Sequence, residues 1–279
     1  MARKFSLAYL TLPGVDPVTQ FKIAKEVGYD TVSLRTIPMH LPGEPEFLPQ
    51  KDAKLFEDIK NAMKEYDLPI MDIELARIRP DLDIEEYKPA FECAAKLGAT
   101  DVLGSVWTRD KAWYTETAGK VADMAKEFGL CYNIEFLPWA GVRNLQEDIT
   151  LVDALHRDNV FVMVDTLHAG RAGVTAEELA RTGSKYFRFI HLCDGPAGPG
   201  GDPVLDNIKD DLMLFTAREG RMYPGDGVMD IAGMVKAMPG IPLSIELPNL
   251  KEIEARGWEG HARMCLEKAK AYFAENGVE

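Results

Sequence analysis

The chain has 279 residues, 46% of them hydrophobic, and its 45 acidic against 32 basic residues give a formal net charge of −13. That length holds either two ordinary domains or one large α/β barrel, which takes about 250 residues. The acidity repels phosphate backbones at long range and argues against a nucleic-acid partner, and no window approaches the ~18 apolar residues of a membrane span.

Short apolar runs alternate with longer amphipathic ones along the chain. FSLAYLTL, residues 5–12, predicts a first strand; broken by Pro13 and Gly14, it does not read as a signal peptide. A helix follows, with Asp16 as N-cap, Pro17 at its first position and Gly28 as terminator. TVSLRTI predicts the second strand, and the Pro-rich loop PMHLPGEPEFLPQ, long enough for a lid, leads into the helical pattern KDAKLFEDIKNAMKEYD. Six more strands are expected in PIMDIELARI, DVLGSVW, CYNIEFL, VFVMVDTL, FRFIHLCD and PLSIELP. Helices are expected near residues 83–97, 111–128, 146–156, 175–182, 230–238 and 257–275, and a Gly/Pro-rich excursion over the barrel mouth, or a disordered insertion, after the seventh strand. Eight strand and helix units without a linker imply one domain, residues 1–279, closed as a (β/α)8 TIM barrel. No GxGxxG follows any strand, which removes a dinucleotide-binding reading. Cys93, Cys131, Cys193 and Cys265 lie far apart without a CxxC pair and read as reduced thiols of a cytoplasmic protein.

Several of these strands end in groups that ligate metals or move protons. VFVMVDTLHAG ends a fully buried pattern in Asp165 and His168, CYNIEF carries Glu135, FRFIHLCD carries His191 and Asp194, and PLSIEL carries Glu246. Carboxylates and imidazoles from four strand ends make a mixed oxygen and nitrogen set suited to a divalent cation. Asp165 alone reads equally as a helix N-cap. Strand alternation puts Asn133 with Glu135, Ser244 with Glu246 and Asp72 with Glu74 on shared faces. Glu74 is expected to pair with Arg77 or Arg79 at the rim rather than join the site. Trp107 and Trp139 are placed either to cover a sugar ring or to pack the rim. Asp194 either orients His191 or starts the loop, and His40, His156 and His261 are given no role.

The ordered set of Glu135, the DTLH of Asp165 and His168, the HLCD of His191 and the IEL of Glu246 resembles the xylose isomerase-like TIM-barrel superfamily of sugar phosphate isomerases and epimerases. The resemblance covers nearly the whole chain. It implies one divalent ion, Mn2+, Mg2+ or Co2+, held by Glu135, Asp165, His191 and Glu246. It also implies substrate contacts from His168 and from Arg221, whose RMYPGDG is similar to the R-x-x-P-G-x-G stretch of relatives; Trp107 is a further substrate-binding candidate from its place at the end of the fourth strand alone. The activity implied is isomerisation or epimerisation of a keto sugar or related polyol through a metal-stabilised enediolate, with Glu135 and Glu246 transferring the proton. A metal-dependent dehydratase of an inosose or dehydroshikimate type is the alternative. An AP endonuclease-like nuclease is a remote one, since such relatives need further histidines that this chain does not carry at its second and third strand ends. Exposed apolar residues in the helical shell leave room for a homo-oligomer.

Overall fold

The computed structural model describes residues 3–40, 43–198 and 210–278. Eight parallel strands, β1 (Phe5–Leu7), β2 (Thr31–Arg35), β3 (Ile70–Ile78), β4 (Asp101–Val106), β5 (Cys131–Glu135), β6 (Val160–Asp165), β7 (Phe187–Leu192) and β8 (Leu243–Ile245), close into a barrel in sequence order. Outside it lie α1 (Pro17–Val27), α2 (Ala53–Tyr66), α3 (Lys88–Lys96), α4 (Lys111–Glu127) and α5 (Leu145–Leu155). They are followed by α6 (Thr166–Arg171), α7 (Ala176–Thr182), α8 (Asp210–Glu219), α9 (Ile231–Ala237) and α10 (Leu250–Glu275). The (β/α)8 architecture is thus the one the alternation of apolar and amphipathic runs predicts. Among the described residues, no helix is long and apolar enough to cross a membrane.

Local chemistry accounts for most boundaries. Asp16 caps α1 by accepting the Thr19 N–H at 3.0 Å, Pro17 opens the helix, and Gly28 ends it at φ 98°. Asp52, Asp110, Asn144 and Asn249 cap α2, α4, α5 and α10 in the same way.

The chain departs from the sequence pattern in three places. The first strand stops at Leu7, and residues 9–11 form a 3-10 turn. Thr11 is why: its hydroxyl donates to Ile245 O at 2.6 Å and accepts from Leu247 N at 3.0 Å, which folds the chain over the end of β8. The last helix begins at Leu250, before the expected 257, with a non-helical Gly257 between its two parts. The Gly/Pro-rich excursion after β7 contains α8, while its residues 199–209 lie outside the described residues, as do 41 and 42 of the Pro-rich loop.

Strand alternation divides the apolar residues into two bodies. Val102, Val106, Ile134, Val162, Val164 and Ile190 belong to the large core between sheet and helices, whereas Leu103, Met163, Phe189 and Leu75 form a separate cluster that plugs the barrel interior. The opposite side of the interior, from β8 through β1 to β3, is polar. There Ser6, Ser33, Asp72 and Ser244 are all buried, and the Ser33 hydroxyl donates to Asp72 Oδ1 and lies 3.4 and 3.5 Å from the hydroxyls of Ser6 and Ser244. Asp72 Oδ2 has no partner among the described residues. Burial pushes the Asp72 carboxyl up to about 8, against the opposing pull of His191 and the Ser33 hydrogen bond.

A carboxyl raised this far above its unfolded value costs stability progressively as pH rises from the unfolded value to the folded one. Asp72→Asn keeps an acceptor for Ser33 and removes that cost. The variant should therefore gain stability over wild type as pH rises from 4 to 8, reaching a few kcal/mol at the plateau, because each tenfold change in proton affinity corresponds to about 1.4 kcal/mol. Paired thermal melts across that range check this; a gap independent of pH would contradict it.

Candidate active site

The ends of β5 to β8 bring four ionisable side chains together. Glu135 is the last residue of β5, Asp165 the last of β6, His191 lies near the end of β7, and Glu246 follows β8 directly. Cross-strand register sets Asp165 beside His191 and His191 beside Ser244. One potential ligand atom from each of Glu135, Asp165, His191 and Glu246 lies within 4.8 Å of all the others, and all four residues are buried. His191 Nδ1 stands 3.2 Å from Glu246 Oε2, 3.9 Å from Glu135 Oε1 and 4.0 Å from Asp165 Oδ2.

Arg221 joins them from the segment between β7 and β8. Its guanidinium contacts Asp165 Oδ2, reaches Glu246 Oε2 at 2.7 Å, and donates to Glu246 O at 3.0 Å and Ala217 O at 2.8 Å. Asp194 holds that segment in place. Its carboxylate accepts four backbone N–H groups, those of Gly195 at 2.8 Å and of Gly225, Gly227 and Met229 at 3.0 Å each. Gly225 takes φ +90°, and a Cβ on Gly227 would sit 2.3 Å from Gly195 O, so the glycines of RMYPGDG are required by the path of the chain around this carboxylate. Asp194 therefore starts the loop, and acts on the site through Arg221. Asp165 combines the two readings open to it: Oδ1 caps α6 through the N–H groups of Leu167 at 2.7 Å and His168 at 3.2 Å, while Oδ2 faces the cluster.

A small cavity of about 80 Å3 adjoins the cluster. Glu135, Glu246, His168, Arg221 and Trp107 all line it. Asp165 and His191 are fully buried behind its wall. His168 Nε2 is 3.9 Å from Glu135 Oε1, and its ring meets Trp139 edge-on with centroids 5.0 Å apart. Trp107 donates to Ser105 Oγ at 2.8 Å. Glu74 corrects the expectation of a rim pair with Arg77 or Arg79: it lines the cavity and lies 3.2 Å from Arg35, which also binds Glu44 and covers the Tyr9 ring at 4.7 Å. Arg77 instead donates to Met39 O, and Arg79 pairs with Asp81 and Glu86. Sequence reasoning missed Arg35 on β2 and the whole of α8, whose Leu214, Ala217 and Arg218 form part of the wall. The apolar spacing of LMLFTARE was the available signal for α8. The remaining histidines stand apart: His40 pairs with Glu46 at the surface, His156 caps α5 in the left-handed conformation, and His261 is hydrogen-bonded to Tyr223 and Leu247.

The electrostatics of the cluster are unbalanced. Burial and the charge of Glu246 push Glu135 well above the usual carboxylate range. Burial acts the same way on Glu246, but His191 and Arg221 outweigh it and hold Glu246 below its ordinary value. Burial would lower His191, yet the surrounding carboxylates, Glu246 foremost, raise it to about 10. Burial takes His168 down to about 4 and keeps it neutral. Glu135 Oε1 and both ring nitrogens of His191 have no hydrogen-bond partner among the described residues. Once Glu135 and His191 give up their protons, three buried carboxylates face one guanidinium, and the converging oxygen and nitrogen donors then fit a divalent cation of the borderline-to-hard kind.

A family profile for xylose isomerase-like TIM barrels matches residues 21–269, and the chain belongs to that family. An inosose isomerase of Bacillus velezensis is 23% identical over 245 residues, which is 82% of this chain and 80% of that protein. One from Bacillus licheniformis is 25% identical over 171 residues, 58% of this chain and only 57% of that relative's length. Among solved structures, an IolI protein with a bound zinc atom superposes with a TM-score of 0.80 at 18% identity, over 98% of this chain and 99% of that one. A D-psicose 3-epimerase with D-tagatose from Clostridium cellulolyticum H10 gives 0.70 at 15% identity, over 96% and 99%. At such identities these structural likenesses speak to the fold.

Cation binding at this cluster would require the protons of Glu135 and His191 to leave, so affinity for Mn2+ should rise with pH between 6 and 9, and fall toward acid. Calorimetric titration at stepped pH checks the slope; a flat profile would contradict it. Asp165→Asn keeps the cap acceptor and should abolish stoichiometric metal while leaving circular dichroism intact. Asp165→Ala should lose about 1–3 kcal/mol more stability than Asp165→Asn, because it also removes the α6 cap acceptor and any hydrogen-bond acceptor for the buried Arg221.

Proposed function

We propose that the chain is a divalent-metal-dependent isomerase or epimerase of a keto sugar or related polyol. The observation that carries this reading is the pair Glu135 and Glu246, two carboxylates from different strands that share one buried ligand cluster and line one cavity. Relatives named inosose isomerase and D-psicose 3-epimerase support the same class of reaction. Glu135, Asp165, His191 and Glu246 would hold the cation. A bound divalent ion supplies positive charge against the oxygen on which negative charge develops when a proton leaves the carbon next to a carbonyl.

The chain's own residues do the rest. With the cation held, Glu135 and Glu246 would both be ionised, so either can take a proton from the substrate carbon and give it back, Glu246 being kept ionised by His191 and Arg221 even before a cation binds. Reaching the substrate from different strands, they address its two faces, which allows a proton taken from one face to be returned to the other or to the neighbouring carbon. His168, neutral and with Nδ1 unpartnered among the described residues, can accept from or donate to a substrate hydroxyl, and Trp107 and Trp139 exclude water from the apolar side of the cavity.

Glu246→Gln keeps the size of the side chain and one oxygen but cannot accept a proton. Turnover of a ketose or inosose substrate should fall by at least ~10² to 10⁴-fold, more than substrate affinity does. Proton exchange from D2O into the carbon beside the carbonyl, followed by NMR, is the sharper test. Each of Glu246→Gln and Glu135→Gln should lose net conversion. Wild-type rates in both variants with metal bound would overturn the assignment.

A further inference from the structure

Glu74, Glu135 and Glu246 line the cavity beside the ligand cluster, but they do not pair with all of its cations. Three guanidinium groups line it, those of Arg35, Arg218 and Arg221. Two are fully occupied: Arg35 by Glu44 and Glu74, Arg221 by Asp165 and Glu246. Arg218, half-buried in the last turn of α8, has no carboxylate, no hydrogen-bond acceptor and no aromatic face among the described residues. Apart from these arginines, Glu74, Glu135, Glu246 and His168, the cavity lining is apolar, with Leu10, Met39, Leu103, Leu137 and Leu214 and the two tryptophans. A cation facing such a wall with no counter-charge of its own is a poor structural element and a good receptor for an anion, because attraction strengthens where water is displaced.

Arg218 also closely precedes Arg221 in the chain, and Ala217, whose carbonyl accepts from the Arg221 guanidinium, belongs to the same wall. Arg218 thus lines the same cavity as Glu135 and Glu246. The charge available matches one negative charge. A guanidinium presents two parallel N–H groups that fit the two oxygens of a carboxylate. A phosphate dianion would bring a second charge, and among the described residues no other unpaired cation lining this cavity meets it.

Building on the isomerase or epimerase reading above, we propose that Arg218 docks a carboxylate on the substrate, so that the molecule turned over here is a keto sugar acid rather than a neutral ketose, lying with its acid group at α8 and its keto and hydroxyl groups toward Glu135 and Glu246. Arg218 is a specificity-determining residue in this scheme and takes no part in moving the proton.

The test compares three probes built on one ketohexose skeleton: D-fructose, D-fructuronate and D-fructose 6-phosphate, each titrated calorimetrically into the Mn2+-loaded full chain. The keto acid should bind at least tenfold more tightly than fructose, and the advantage should shrink with added salt. It should vanish in Arg218→Gln and return in part in Arg218→Lys, with melting temperature and metal content of both variants equal to wild type. Equal binding of acid and neutral probe, no binding of the acid, or an advantage that survives in Arg218→Gln would overturn the proposal, and stronger binding of the phosphate ester would overturn the choice of a carboxylate. The broader reading fails separately. Proton exchange on a neutral ketose without any preference for the acid would keep the isomerase and remove this role of Arg218; Arg218-dependent acid binding without any proton exchange would do the reverse.

Discussion

Burying ionisable groups at one point inside a barrel is the constraint on which most of this structure turns. Glu135, Asp165, His191, Glu246 and Arg221 are each no more than 5% exposed, and unpaired charges at such depth cost several kcal/mol each. Arg221 offsets part of this by bridging Asp165 and Glu246, which accounts for how firmly the fold positions it. Its backbone is tied to Pro248 on one side and Asn249 on the other, and Asp194 gathers four backbone N–H groups to fix the turn that follows. What Arg221 leaves uncompensated, Glu135 Oε1, together with the imidazole of His191 once it gives up the proton that pairs it with Glu246, is what a cation would take up.

The barrel interior is arranged to serve that point. Leu103, Met163, Phe189 and Leu75 fill the interior below one part of the cluster and keep water from reaching it through the barrel, while the serines around Asp72 line the other side. A dry floor makes each charge interaction above it stronger. The same floor makes Asp72, two residues before Glu74 on β3, a stability cost at neutral pH that a purely apolar layer would not carry.

The barrel itself was legible because its signals are local. Eight buried runs separated by helical spacing, with Asp16, Pro17 and Gly28 punctuating the first unit, need no tertiary knowledge to read. The four ligand candidates were legible for a related reason: a polar residue at the end of an apolar strand is conspicuous. What the sequence conceals depends on contacts between distant segments. The apolar FSLAYLTL looks like one strand, and only the hydrogen bonds of Thr11 to β8 show that it turns after Ala8. Glu74 has Arg77 and Arg79 nearby in sequence, but strand alternation sends it inward to Arg35 on the neighbouring strand. Asp165 reads in sequence as cap or ligand candidate, whereas its two oxygens allow it to face both ways. The helix α8, hidden within a Gly/Pro-rich stretch, supplies the part of the wall that distinguishes this cavity, Arg218 included.

The chemistry proposed for this site depends on Glu135, Asp165, His191 and Glu246 enclosing one divalent cation. Anomalous diffraction from crystals grown with Mn2+, collected on the two sides of the manganese absorption edge, addresses this without reference to any substrate. A single strong anomalous peak within bonding distance of all four side chains is the predicted result. A cluster without a peak at saturating Mn2+, or a peak held by other residues, would contradict it.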